Sequence, residues 1–251
     1  MKLVASMIVK DEMSRYLPLA VEHLATFCDE IRVLDDGSTD GGYEWMLAHP
    51  KVYVLTNAGP TFFEHEGRAR QALLEWTFEG QPNYVLSIDA DEFVGDPKII
   101  RGVISQLNAP AVYTLQMEEV WGAADDRLNI RTDHQWKPRP CPILWRGPGR
   151  QSSSDWRIPD VRLACGREPM RVRRTRAVTS GSSVFHFGWA NRAEREDRAQ
   201  RYFDHDGGKF HKDAHLQSIL WGDERVLISG KPWPAGLEPV RAPLLERISG
   251  G

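Results

Sequence analysis

The 251-residue chain carries 41% hydrophobic and 27% charged side chains, enough apolar matter for the core of one sizeable α/β domain but not for a second full one. No run reaches the roughly 18 apolar residues that a membrane-crossing helix needs, and the short stretch Leu3 to Val9 after Lys2 lacks a cleavage-like site, so a cytoplasmic protein is expected. The net charge of −3 conceals a segregation: residues 1–130 hold 10 Lys/Arg against 21 Asp/Glu, residues 131–176 hold 12 against 4, and the remainder holds 10 of each.

Leu3 to Val9 reads as a buried parallel strand that delivers Lys10, Asp11 and Glu12 at its carboxyl end. Apolar residues at Leu17, Ala20, Val21, Leu24 and Phe27 then follow helical spacing from Ser14, with Pro18 tolerated near the first turn. Ile31 to Leu34 is a second strand, stopped by the turn formers Asp35-Asp36-Gly37-Ser38-Thr39-Asp40-Gly41-Gly42. A short helix over Tyr43 to Ala48, a strand over Val52 to Leu55, a helix over Gly67 to Phe78 and a strand over Tyr84 to Ile88 follow. That last strand runs directly into Asp89-Ala90-Asp91-Glu92. A helix over Pro97 to Leu107 and a strand from Ala111 to about Val120 extend the alternation. The pattern predicts an α/β fold with a mostly parallel central sheet, helices on both faces and ligands outside the carboxyl ends of the strands.

From Asn129 to Arg176 periodicity is lost amid Pro, Gly, Ser and Arg, which predicts long loops wrapped over the sheet, of a length that is usually functional. The basic balance of this stretch suggests an anionic partner, a nucleic acid or another polyanion, at residues 131–176. The alternative is a solvated arginine-rich surface. Ser183 to Phe187 reads as a returning strand, Asn191 to Phe203 as a charged helix, and His211 to Leu220 as a further one. Four prolines beyond Trp221 predict an extended tail. The expected organisation is a single domain over 1–251: a ligand-binding half at 1–121, a second half with closing helices at 122–220, and the tail at 221–251. Cys28, Cys141 and Cys165 are odd in number and widely spaced, which fits small buried thiols rather than a disulfide framework or a metal site.

Two carboxylates one residue apart at a strand end oppose the fold, since Asp disfavours strands and like charges repel. They suit a hard cation such as Mg²⁺ or Mn²⁺, which takes oxygen ligands and leaves positions for a diphosphate. Alone, Asp-x-Asp is a weak signal; its position after an apolar strand, behind the earlier Asp-Asp-Gly-Ser-x-Asp turn, strengthens it.

The ordered set Met7-Ile8-Val9-Lys10-Asp11-Glu12, Asp35-Asp36-Gly37-Ser38-Thr39-Asp40, Gly67-Arg68-Ala69-Arg70-Gln71 and Ile88-Asp89-Ala90-Asp91-Glu92, followed by His186-Phe187-Gly188-Trp189, resembles family 2 glycosyltransferases with the GT-A fold. The motifs span residues 7 to 189. The resemblance implies transfer of a sugar from a nucleotide-sugar to an acceptor hydroxyl with inversion, aided by Mn²⁺ or Mg²⁺. It implies that Asp36 accepts a hydrogen bond from a uracil-like base, which favours a UDP-sugar, and that Lys10 and Glu12 line the nucleotide pocket. Arg68 or Arg70 would reach the pyrophosphate or the base from a helix start; the alternative for either is an ion pair with Glu64 or Glu66. Asp89 would lie near ribose and metal, Asp91 would be the direct metal ligand, and His186 would add a ring nitrogen.

Two departures matter. Gln71 stands where many relatives carry Asn, and no firm motif marks the general base. Among Glu118, Glu119, Asp155 and Asp160, Asp160 is favoured because the basic loop could carry it over the sugar, with Glu119 second. Trp121, Trp136, Trp145, Trp156 and Trp189 could stack on sugars or bases, or simply pack. Two other readings are an inactive nucleotide-sugar-binding module and a nucleotidyltransferase or phosphohydrolase that uses paired Asp; the lack of a Gly-rich phosphate loop disfavours the latter.

Overall fold

The computed structural model describes residues 1–133, 136–149, 155–163, 165–206, 217–221 and 225–250. These form two compact units that interleave along the chain. One comprises Met1–Asp91, Pro97–Leu115 and Pro140–Ser182; the other comprises Glu92–Asp96, Gln116–Arg139 and Ser183–Gly251. No helix among the described residues is long and apolar enough to cross a membrane.

The first unit is built on β1 (Leu3–Val9), β2 (Glu30–Asp35), β3 (Val52–Thr56), β4 (Tyr84–Ser87) and most of β8 (Arg139–Arg146). β1 pairs in parallel with β2 and with β4, β2 pairs in parallel with β3, and β8 closes on β4 in the antiparallel sense. The continuous apolar run predicted at β1 is explained by its burial on both faces: Leu3, Val4 and Ala5 are 0% exposed. Helices α1 (Leu17–Ala25), α2 (Gly42–Ala48), α3 (Glu66–Glu79), α4 (Pro97–Ile104) and the single turn α5 (Met170–Arg173) complete the unit. α1 begins at Leu17 rather than Ser14 because Arg15 and Leu17 first turn back to the Glu12 carbonyl, after which Pro18 sits in the first turn. Its Leu17, Ala20, Val21 and Leu24 are buried at the spacing the sequence predicts. Cys28 and Cys165 are buried free thiols and Cys141 is a partly exposed one; burial pushes the Cys28 and Cys165 thiols up, away from reactivity.

The second unit holds β5 (Glu92–Val94) against the end of β9 (Val178–His186), and a ladder of β10 (Ile228–Pro232), β7 (Arg127–Arg131) and the end of β6 (Val112–Ala124). α6 (Arg192–Asp206) and α7 (Arg241–Ser249) belong to it. Its core centres on Trp121, Trp136, Trp189, Ala199, Ile219 and Val226, so three of the tryptophans proposed for stacking are packing residues. Trp145 serves the other core in the same way, beside Val85 and Val112.

Three expectations are corrected. Residues 129–176 are not loops throughout, because β7 ends and β8 and α5 lie there; Pro140 and Pro142 mask β8, yet both fall in its more exposed first half while Ile143, Leu144 and Trp145 are buried. β6 does not stop at Val120 but continues past an irregularity between Val120 and Gly122 and turns at Asp125-Asp126 into β7. The tail is extended only in its first part, where Ile228–Pro232 forms the mostly exposed strand β10, and not beyond it. Pro239 lies in a 3-10 turn (Ala235–Val240) and Pro243 in the first turn of α7, where the missing N–H has no partner to lose, and Leu237, Val240 and Leu244 are buried. The helix expected over 211–220 lies largely outside the described residues, with only its end, from Gln217, inside.

Candidate active site

The carboxyl ends of β1 and β2 are stitched together by short polar side chains. Asp11, whose φ of 52° is unusual for a residue with a side chain, accepts hydrogen bonds from the Thr39 N–H (2.7 Å) and hydroxyl (3.2 Å). The Ser38 hydroxyl accepts from the Asp11 N–H (3.1 Å), and Asp40 accepts from the Met13 N–H (2.7 Å). Asp35 accepts from the Gly37 N–H, and Gly37 takes a φ of 84° that a side chain would resist. The turn formers seen in the sequence therefore build one rigid ledge. Lys10 is exposed at its rim, and Glu12 is partly buried with its carboxylate on Arg15.

Asp36 sits in this ledge 3% exposed. One carboxylate oxygen accepts from Asn57 Nδ2 (2.6 Å) and the other from the Phe62 N–H (2.9 Å), while its own N–H donates to the Val9 carbonyl. The group is fixed in orientation, and a carboxylate with about four acceptor positions keeps capacity for a further donor.

The start of α3 departs from what its motif suggests. The Glu66 and Gly67 N–H groups donate to the Arg162 and Val161 carbonyls, and the Arg68 and Ala69 N–H groups to the His65 carbonyl. The first helical donors are thus taken by the chain, and the expected help from backbone donors to a pyrophosphate is not available there. Contact is so close that a Cβ on Gly67 would meet the Pro159 carbonyl oxygen at 2.3 Å. Arg70 pairs with Glu66 (2.7 Å), both largely buried, as the ion-pair alternative has it, and Glu66 also accepts from the Cys165 N–H. Arg68 is exposed and pairs with Asp160 (3.2 Å), which His65 Nε2 also approaches at 3.2 Å. Gln71 has a use: its Oε1 accepts from the Ile158 N–H (2.7 Å), holding the arginine-rich segment along α3.

Beyond Ser87 the chain leaves β4, and Asp89-Ala90-Asp91 forms a tight turn into β5. Asp91 is 7% exposed. Asp89 is more open, and its carboxylate accepts from Arg167 Nη2 at 2.9 Å. Arg167 was not foreseen as a site residue; the only signal for it was the excess of arginine in its segment.

Asp89 and Asp91 belong to the first unit; Glu118, Glu119 and His186 belong to the second. Glu119 bonds His186 Nδ1 (2.6 Å) through one oxygen and Arg139 (2.8 Å) through the other. Burial by itself would raise the Glu119 pKa, but His186 and Arg139 outweigh it and hold the carboxyl down to about 2. Glu118 pairs with Lys231 at 2.6 Å. Among the described residues no three His, Cys, Asp or Glu side chains are grouped so as to hold a metal ion by themselves.

No family model matches the chain. The crystal structure of residues 1–349 of S. aureus TarS matches 88% of this chain and 69% of that one, with a TM-score of 0.52 and 15% identity. The fold is GT-A-like. Glucosyl-3-phosphoglycerate synthase of Mycobacterium tuberculosis, solved with Mn²⁺ and UDP, matches 47% of this chain and 44% of its own at 18% identity, with a TM-score of 0.35. Uncharacterised proteins of Mycobacterium bovis and Mycobacterium tuberculosis are each 30% identical over 97 residues, 37% of this chain. The chain spans about a quarter (24%) of the length of those curated relatives.

On the GT-A-like sheet of the first unit, the structure thus gathers Lys10, Glu12, Asp36 and Asp89-Asp91 at the carboxyl ends of β1, β2 and β4, the edge at which open α/β sheets take ligands. It turns Arg70 to the support of α3 and adds Arg167 and Asn57 to the set.

Proposed function

We propose that the chain is a metal-dependent glycosyltransferase that takes a nucleotide-sugar at the carboxyl ends of β1, β2 and β4. The observation that carries this reading is the turn Asp89–Asp91, where two carboxylates one residue apart, one of them buried, follow the carboxyl end of a central strand. Their oxygen donors fit a hard cation, whose remaining coordination positions belong to a diphosphate and water, so Asp91 and Asp89 are the residues that would hold Mn²⁺ or Mg²⁺. When bound, such a cation supplies the positive charge that stabilises a departing nucleoside diphosphate.

The chain's own groups do the rest. Asp36, oriented by Asn57 and the Phe62 N–H, has acceptor capacity for the imide N–H of a uracil, which favours a UDP-sugar over carriers that lack that donor. Arg167 fixes the rotamer of Asp89. For the proton of the acceptor hydroxyl, Asp160 is the better of the two candidates. The Asp160 side chain is 70% exposed, whereas Glu119, held at about 2 and enclosed by His186 and Arg139, is a weak base. Glu119 instead orients the His186 ring and fixes its tautomer, the role a carboxylate plays behind a functional imidazole.

The test is thermal melting of the purified chain against a panel of nucleotide-sugars with and without Mn²⁺. A donor at a hundred times its Kd adds about 2.7 kcal/mol, roughly 5–10 °C for a chain of this size. Asp91→Ala should lose the metal-dependent part of that shift. Release of nucleoside diphosphate from the nucleotide-sugar supports glycosyl transfer, release of pyrophosphate from a nucleoside triphosphate supplied with a sugar 1-phosphate points instead to a nucleotidyltransferase, and wild-type turnover by Asp91→Ala rejects the assigned ligand.

A further inference from the structure

A cavity of about 480 Å³ lies in the first unit, lined by Arg146, Arg171, Trp156, Thr175, Val112 and Gly149 among others. It is at the other end of the sheet from the acidic turn. Arg146 pairs in register with Tyr84, the first residue of β4, and the Gly147 N–H donates to the Asn83 carbonyl (2.9 Å). Asp89 lies five residues further along, about 16 Å at strand rise. A ligand in the cavity and a nucleotide at the carboxyl end therefore occupy separate places.

The cavity is basic without a counter-ion. Arg146 donates from Nη2 to the Ala109 carbonyl and the Tyr84 hydroxyl, both uncharged. Arg171 reaches only the face of Trp156, its guanidinium 5.7 Å from the ring centroid. Glu168, the carboxylate nearest to Arg171 in sequence, pairs with Arg173 at 3.2 Å, and Asp155, the nearest to Arg146, pairs with Arg174 at 3.1 Å. Among the described residues, neither Arg146 nor Arg171 has a carboxylate partner. Two guanidiniums lining one concavity repel each other and between them leave hydrogen-bond donors unused, an arrangement that an anion relieves. The walls are built rather than incidental. A Cβ on Gly147 would meet the Pro82 carbonyl oxygen at 2.2 Å, so the 146–149 wall is pressed against the start of β4. Val112 and Val172 give an apolar floor continuous with Trp145, and Trp156 is held edge-on by Phe78 (centroids 5.3 Å apart).

We propose that this cavity is a second binding site, for a phosphate monoester carried on a sugar-sized body: the arginines take the phosphate, and Trp156 with the apolar floor takes the body. A ring that stacks on an indole and a dianion that forks two guanidiniums meet both halves of the lining. The proposal stands independently of the nucleotide-sugar reading.

It is tested on the full chain by titration calorimetry with glucose-6-phosphate, inorganic phosphate and glucose. Saturable binding of the sugar phosphate is expected, weaker binding of phosphate alone, and none of glucose. Arg171→Gln, an exposed position whose loss leaves the fold intact, should weaken the sugar phosphate about tenfold or more, and Trp156→Ala should bring its affinity down to that of inorganic phosphate. Asp91→Ala should bind it like the wild type, which separates this site from the metal end. No saturable binding up to about 10 mM, or equal affinity in Arg171→Gln and wild type, overturns the proposal; melting curves of each variant confirm that the comparison is made on folded protein.

Discussion

Arg131 is 0% exposed, yet it carries a charge into the core of the second unit. Asp133 answers it with two bonds, at 2.6 and 3.0 Å, the Ser218 carbonyl takes a third, and the rings of Trp121, Trp136 and Trp221 surround the guanidinium at 4.3 to 5.6 Å. A buried pair of this kind is costly to break because the remaining ion is stranded. Arg131→Met is expected to lower stability by about 3–5 kcal/mol, measured by urea melts near neutral pH. The pH dependence has a definite sign. Burial would raise the Asp133 pKa, but Arg131 outweighs it and the net shift is downward. The stabilisation is therefore present above the unfolded carboxylate value, about 3.9, and is lost as pH falls through the depressed folded value. The gap between wild type and Arg131→Met should narrow on acidification; a gap constant down to about pH 3 would contradict the pairing. None of this is readable from the spacing Arg131-Thr132-Asp133, which along a strand shows only that both side chains share a face.

At the scale of elements, α3 and the described residues of the segment 157–166 form one unit of structure. Gln71, Glu66 and the first N–H groups of α3 all bond to that segment, and its Ile158 and Cys165 cluster with Leu74 of α3. Gly67→Ala should cost about 1–3 kcal/mol, because the atoms in its way are backbone and cannot rotate aside. Gly102→Ala, inside α4 where nothing lies within 4 Å, should instead stabilise by about 0.5–1 kcal/mol. Thermal denaturation of the two single variants measures the contrast; similar shifts in both would mean that the segment does not press on α3. The helix itself was legible, since Ala69, Leu73 and Thr77 recur at its spacing. Its cover was not, because the sequence of 157–166 has no period and the residues described there are held by their bonds to α3.

At the scale of the whole molecule, the charge segregation along the chain is smaller in the fold than in the sequence. Of the twelve cations in residues 131–176, Arg131, Arg139, Arg167, Arg173 and Arg174 are paired with carboxylates. Lys137, Arg146, Arg157, Arg162, Arg171 and Arg176 have none among the described residues, and the twelfth, Arg150, lies outside the described residues. Duplex DNA bound through these six would show a log–log salt slope no steeper than about −5. Anisotropy titrations at several salt concentrations check this. A slope near −10 would require more cations than the segment leaves unpaired, and affinity independent of salt would exclude a phosphate-backbone partner altogether.

Apart from the short strand β5, which the sequence pattern did not predict, the strands and helices up to residue 120, the turn chemistry of Asp35 to Gly42 and the acidic turn after β4 are determined locally, because buried runs, helical periodicity and turn formers leave their mark within a few residues. Tertiary structure alone decided that Arg70 supports α3 while Arg167 reaches Asp89, that Glu119 stands behind His186, and that two prolines at the start of β8 do not prevent a strand. Those outcomes depend on which distant segments meet. The partner of a charged side chain is set by burial and geometry across tens of residues of sequence, and no spacing rule carries that information.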